Sequence, residues 1–146
     1  MINKHGHAIN LYKISKAIKP DDATTDNIIA YCYERLGNIS KAREIYKDVL
    51  KRDHDNIPAK IGLGFIYLRE GNRSKAEEYF KEVLKNKKDP WALYGMARIY
   101  IMENNVPSAL SYFTEALSVS KDKELNSIMK KEMQKLGQAT FYGSTN

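Results

Sequence analysis

One cysteine in 146 residues leaves no partner for an internal disulfide, so no disulfide framework staples this chain. That usage suits a reducing compartment, and the expected location is cytoplasmic. No apolar run approaches the roughly 18 residues of a membrane span. The N-terminal stretch MINKHGHAINLYKI also lacks the apolar core of a signal peptide. The chain contains no Gly-rich phosphate loop, no Ser/His/Asp arrangement and no paired carboxylates in a plausible cleft. No enzyme, no cofactor and no metal are therefore expected. His5-x-His7 supplies two ligands where a structural metal site wants four, and His54 in RDHDN reads as a solvated linker residue.

One sign of charge exceeds the other, since the net charge is +6, and that raises nucleic acid as a partner. The excess is not a stripe. Residues 23–56 and 90–121 balance their charges, and most basic residues in the middle of the chain are interleaved with Glu and Asp. A phosphate-tracking surface needs cations of one sign along one face. The densest run, Lys85, Lys87 and Lys88, reads as a solvated loop between units.

What the chain does contain is itself, repeated. DNIIAYCYERLGNISKAREIYKDVL, from Asp26, aligns with IGLGFIYLREGNRSKAEEYFKEVL at an offset of 34, and with LYGMARIYIMENNVPSALSYFTEAL at a further 33. The columns agree in kind: Ala30, Gly64, Ala97; Tyr33, Tyr67, Tyr100; Ala42, Ala76, Ala109; Tyr46, Phe80, Phe113; Leu50, Leu84, Leu117. Each unit reads as two amphipathic helices joined at Gly37–Asn38, Gly71–Asn72 or Asn104–Asn105, residues that accept a left-handed turn. The small columns let the two helices approach closely, which is reason enough for Gly64 inside a helix despite a cost of about 1 kcal/mol. Ser74-x-x-Glu77 reads as a capping box, Asp89–Pro90 as a cap followed by a first-turn proline, and Pro107 falls in another first turn. Cys32 shares a column with Ile66 and Ile99 and reads as a small buried hydrophobe.

A 34-residue period with small, Tyr, small and aromatic residues in these columns resembles the tetratricopeptide repeat over most of the chain. There are departures: the family's Trp position holds Asp26, Lys60 and Leu93, and the closing Pro is absent from the three full units. The resemblance implies an all-α fold, a right-handed α-solenoid of antiparallel helix pairs. Residues 1–22 repeat a second half-unit, with Ala8 and Tyr12 one period before Ala42 and Tyr46, so they form either an N-terminal cap or the cut end of a longer array. Full units follow at 23–56, 57–89 and 90–121, then a capping helix at 122–137 and a flexible tail at 138–146, all one domain. Lys130, Lys131 and Lys135 turn outward on that capping helix, as the end of a stack requires.

In this family the first helix of each unit lines the concave face. The resemblance therefore places Asn27, Ile28, Tyr31, Glu34 and Arg35 inward in the first unit. It places Ile61, Phe65, Leu68 and Arg69 inward in the second, and Trp91, Tyr94, Arg98, Ile101 and Met102 in the third. The candidate partner-binding residues are Tyr31, Arg35, Ile61, Phe65, Leu68, Arg69, Trp91, Tyr94 and Arg98, because aromatic residues and Arg carry most binding hot spots. The family's carboxylate clamp for chaperone tails is not expected, since its Lys and Asn columns read Asn27, Tyr31, Pro58, Ile61, Gly62, Phe65, Trp91, Gly95 and Arg98. The function that follows is a protein-binding adaptor whose apolar groove takes an extended or helical segment of another protein. The alternative is a self-associating scaffold subunit, and a nucleic-acid-associated protein is less favoured. The end helix, or a tail carrying Phe141 and Tyr142, is a competing occupant of the same groove.

Overall fold

The computed structural model describes residues 3–143, with side chains described through residue 138. Among these residues there are eight helices and no strand: α1 (Lys4–Ile18), α2 (Ala23–Arg35), α3 (Ile39–Arg52), α4 (Ile57–Arg69), α5 (Arg73–Leu84), α6 (Pro90–Met102), α7 (Val106–Val119) and α8 (Lys123–Gly143). They form two compact units, Met1–Asn72 and Arg73–Asn146. The sequence suggests a single domain. A stack whose repeats touch only their neighbours has no core shared by all, so a division can fall at any turn; here it falls after Asn72.

The turns inside the repeats share one chemistry. Gly37 and Gly71 have φ of +86° and +79°, and Asn104 takes the same left-handed conformation at +57°. At each, the following Asn donates its backbone N–H across the helix end: Asn38 to Tyr33, Asn72 to Tyr67 and Asn105 to Tyr100, all at 2.9 Å. Asn38 and Asn105 then cap the next helix, their side chains accepting from the N–H of Lys41 and Ser108. Asp89 caps α6 by accepting from Trp91 and Ala92, with Pro90 in the first turn.

Two boundaries differ from the sequence reading. α5 begins at Arg73, so Ser74 lies inside its first turn and not at the cap. α8 continues to Gly143, beyond the end expected at 137. Gly137 stays out of the positive-φ region that stops α2 and α4, and a Cβ there would meet nothing, so it acts as a tolerated interior glycine. Residues 144–146 of the expected tail lie outside the described residues, as do the side chains of Phe141 and Tyr142.

In the first unit α2 packs against both α1 and α3, and α3 against α4. Ala30 and Ala42 have no exposed surface, as close helix approach requires. Cys32 is buried, and burial pushes its thiol up. The ring of Tyr46 lies directly on the backbone of Gly62, where an added Cβ would come within 2.4 Å of it. Asp26, in the family's Trp position, is almost fully buried and ties three helices together. Lys16 of α1 reaches its Oδ1 at 2.7 Å, and Arg52 of α3 donates to its Oδ2 at 2.5 Å. Asn27 donates from Nδ2 to Asn56 Oδ1 at 2.9 Å, and that oxygen also caps α4.

The second unit repeats the arrangement. The ring of Phe80 on α5 lies on Gly95 of α6, where a Cβ would stand 2.3 Å from it. Leu93, Ala97, Ala109, Phe113, Ala116, Leu125 and Met129 form a buried cluster from α6, α7 and α8. Tyr100 and Tyr112 stack beside it with centroids 5.4 Å apart.

Ala109→Leu should overfill the close-packed column and lower stability by about 1–3 kcal/mol in denaturant unfolding. An unchanged midpoint would mean that α6 and α7 do not cross at this column. Asp26→Ala should cost about 1–3 kcal/mol, because both cationic partners are partly exposed and can return to water. Amide exchange in α1 should accelerate more than in α4; uniform acceleration would contradict the tether.

Candidate functional site

The expected wall residues divide between the two units. In the first unit Tyr31 on α2 is 52% exposed, and the ring of His5 meets it edge-on at 6.5 Å. Arg35 on α2 and Arg69 on α4 are both exposed, while Ile61 and Phe65 on α4 are half-buried. Leu68 is a correction: it is only 8% exposed and belongs to the core, on the side of α4 shared with Gly64. Asn27, another inward column, is also buried, tied to the cap of α4.

Glu34 on α2 is a half-buried carboxylate within the field of both arginines. Burial raises the pKa of Glu34, and the positive charges of Arg69 and Arg35 pull it back without cancelling the rise. This edge of α2 and α4 thus presents an exposed aromatic ring, two guanidinium groups and one incompletely compensated acid. It can recognise an apolar anchor flanked by a carboxylate, which the arginines would meet in a two-pronged geometry.

In the second unit Trp91 is 37% exposed and stands edge-on to Tyr94 at 6.1 Å. Tyr94 is half-buried and tilts against the buried Phe113 at 6.0 Å. Its hydroxyl donates to Glu132 of α8 at 3.0 Å, and Arg98 donates to the same oxygen at 2.9 Å. Burial, and then the charge of Glu132, raise the Tyr94 phenol. Burial alone would lower the Arg98 guanidinium, but Glu132 and Tyr94 hold it above its ordinary value. Tyr94 and Arg98 are therefore engaged by the last helix, whereas Trp91 keeps a substantial exposed face.

Glu132 is the residue that sequence reasoning passed over. A signal existed: Arg98 on α6 and Glu132 on α8 stand 34 residues apart, about one repeat period. The clamp columns at Gly62 and Gly95 have a different occupant from any ligand, namely the aromatic rings of Tyr46 and Phe80. Among the described residues no group of three His, Cys, Asp or Glu is placed to hold a metal, and no helix is long and apolar enough to cross a membrane.

The raised Glu34 carboxyl carries a sign that can be tested. A carboxyl that binds its proton more tightly in the folded chain destabilises the fold once ionised, and this cost vanishes as the pH falls through its folded pKa. Glu34→Gln should therefore melt higher than the parent at pH 7, with the gap closing near about pH 4. A gap that persists at low pH would contradict burial as the cause.

Comparison with known proteins agrees with this architecture. The tetratricopeptide repeat family matches residues 35–89, and a second tetratricopeptide repeat match covers residues 92–127. No curated protein matches the sequence. A thermophilic tetratricopeptide protein of Thermus thermophilus shares 22% identity, with 84% of this chain and 70% of that one covered at a TM-score of 0.69. The type III secretion translocator chaperone SycD of Yersinia enterocolitica shares 16% identity, covering 80% of this chain and 84% of its own at 0.67. MamA shares 19% identity, covering 87% and 71% at 0.63. At these identities the likeness is one of fold, the helical-repeat solenoid. With the repeat columns, the shared turns and two successive family matches in register, the chain belongs to the tetratricopeptide repeat family.

Proposed function

We propose that this chain is a protein-interaction adaptor that holds an extended or helical segment of another protein against its first helices. The observation that carries the reading is Tyr31: a large aromatic side chain, 52% exposed, beside two exposed arginines and a half-buried acid. Aromatic rings and guanidinium groups of this kind supply most interface energy, and a solitary exposed ring would mean little. Trp91 offers a second exposed aromatic anchor in the other unit. Tyr94 and Arg98, already bonded to Glu132, serve better as support for Trp91 than as direct contacts. The arginines favour a client segment with an acidic residue next to its apolar anchor. The fold's relatives include a named chaperone, so a protein client is the class the likeness supports.

The test is capture from the native lysate at about 0.5 M salt, where contacts to phosphate backbones weaken severely and apolar contacts persist. Tyr31→Ala with Arg35→Ala should weaken recovery of the captured protein at least about tenfold, and Trp91→Ala should also weaken it. All three side chains are exposed, so melting temperatures should change little. Capture that survives both variants, or that vanishes at high salt in the parent protein, would contradict the adaptor reading.

A further inference from the structure

Between α1 and α3, with α2 as its floor, the first unit holds a cleft of about 510 Å³. Small-molecule pockets span roughly 300–1,000 Å³, so the cleft is of their size. Buried Ile29 and half-buried Tyr33 and Ile45 make its apolar part, and Lys13, Lys16, Lys41 and Lys51 stand round them. None of the candidate wall residues lines it.

The second unit shows what fills the same place there. By the repeat columns α1, α2 and α3 correspond to α5, α6 and α7, and Tyr33 corresponds to Tyr100. The ring of Tyr112 stacks on Tyr100, with centroids 5.4 Å apart and planes 17° from parallel. In the column of Tyr112 the first unit has Ile45, which offers no ring. Leu84 and Leu93, packed together in the second unit, give way to Lys16 and Asp26. Tyr33 therefore lacks the stacked neighbour of its counterpart, and the amino group of Lys13 stands over its ring at 5.7 Å instead.

The charges differ as well. The acids of the cleft are matched: Asp26 by Lys16 and Arg52, Asp48 by Arg52, and Glu44 by Lys41. Three acids thus meet three cations, and Lys13 and Lys51 have no acidic partner among the described residues. In the second unit Lys81, the counterpart of Lys13, is paired with Glu77 at 2.5 Å. The column of Glu77 holds the buried Ile9 in α1, and the counterpart of Lys51 is Ser118. One slot is filled by a ring and electrically closed; the other is open and left positive.

We propose that this cleft binds a small aromatic anion, a single ring carrying a carboxylate or a phosphate. The ring stacks on Tyr33 as Tyr112 stacks on Tyr100, with Ile29 and Ile45 beside it. The anionic group meets Lys13, and Lys51 adds to the attraction. Stacking and a charge-assisted contact act together here, so a ring alone or an anion alone binds poorly.

Phenyl phosphate titrated into the full chain, followed by the amide NMR signals of Ile29, Tyr33 and Ile45, tests this. It should bind with a Kd of about 1 mM, the strength open to so small a ligand. Phenol and inorganic phosphate should each bind at least about tenfold more weakly. Ile45→Tyr supplies the chain's own ring, as Tyr112 does, and should weaken phenyl phosphate at least about tenfold while the melting temperature holds or rises. If that variant fails to fold, Lys13→Glu, at an exposed position, reverses the charge over Tyr33 and should weaken binding as much. Tyr31→Ala should leave binding unchanged, which separates the cleft from the adaptor surface. Inorganic phosphate bound as tightly as phenyl phosphate would mean a general cationic patch and overturn the proposal. So would the absence of binding at about 10 mM phenyl phosphate, or binding that a folded variant of either kind leaves unchanged.

Discussion

The step from one repeat to the next depends on the far end of an aromatic ring set against a glycine backbone. Tyr46 on Gly62 joins α3 to α4, and Phe80 on Gly95 joins α5 to α6. Each contact links the second helix of one repeat to the first helix of the next, the step that turns separate hairpins into a stack. A glycine inside a helix costs about 1 kcal/mol relative to alanine. Burying a Phe or Tyr side chain gains about 1.5–3 kcal/mol, so the exchange favours the ring. The same contact orients the wall residues. Ile61 and Phe65 flank Gly62 on α4, and Trp91 and Tyr94 precede Gly95 on α6, so the rings beneath hold the helices that display them.

Much of this was legible in the sequence because repetition turns weak local signals into strong ones. A single Gly-Asn is a common turn; three left-handed turns in register, at Gly37, Gly71 and Asn104, are a design. The small columns likewise stand out only when Ala30, Gly64 and Ala97 are placed side by side. What escaped was whatever depended on a side chain from another part of the chain. Gly62 and Gly95 sit one period apart and could have been paired with the aromatic column, but only the folded chain shows the ring above the glycine. The family's inward columns put Leu68 on the wall, but α4 is apolar nearly all round and the structure turns this residue into the core. The end expected at 137 falls on a glycine inside α8, and a stop needs the left-handed conformation and not merely the residue.

The candidate residues show how a repeat protein gives similar parts different roles in its two units. In the first unit the charges of Arg69 and Arg35 only partly offset the burial of Glu34. In the second unit the equivalent traffic of charge is closed: Glu132 takes hydrogen bonds from both Tyr94 and Arg98. The open polar chemistry therefore lies with Tyr31 and its arginines, while the second unit contributes Trp91 on a braced helix.

The central claim, that ring-on-glycine contacts set the approach of successive repeats, is tested most directly by a double-mutant cycle. Gly95→Ala, Phe80→Leu and the double variant would be compared with the parent by denaturant unfolding. A Cβ on Gly95 cannot coexist with the ring as placed, so Gly95→Ala alone should lose about 1–3 kcal/mol. Removing the ring frees that space, and the double variant should be more stable than the sum of the single losses by about 1 kcal/mol or more. Additive losses, or a Gly95→Ala variant as stable as the parent, would contradict the account.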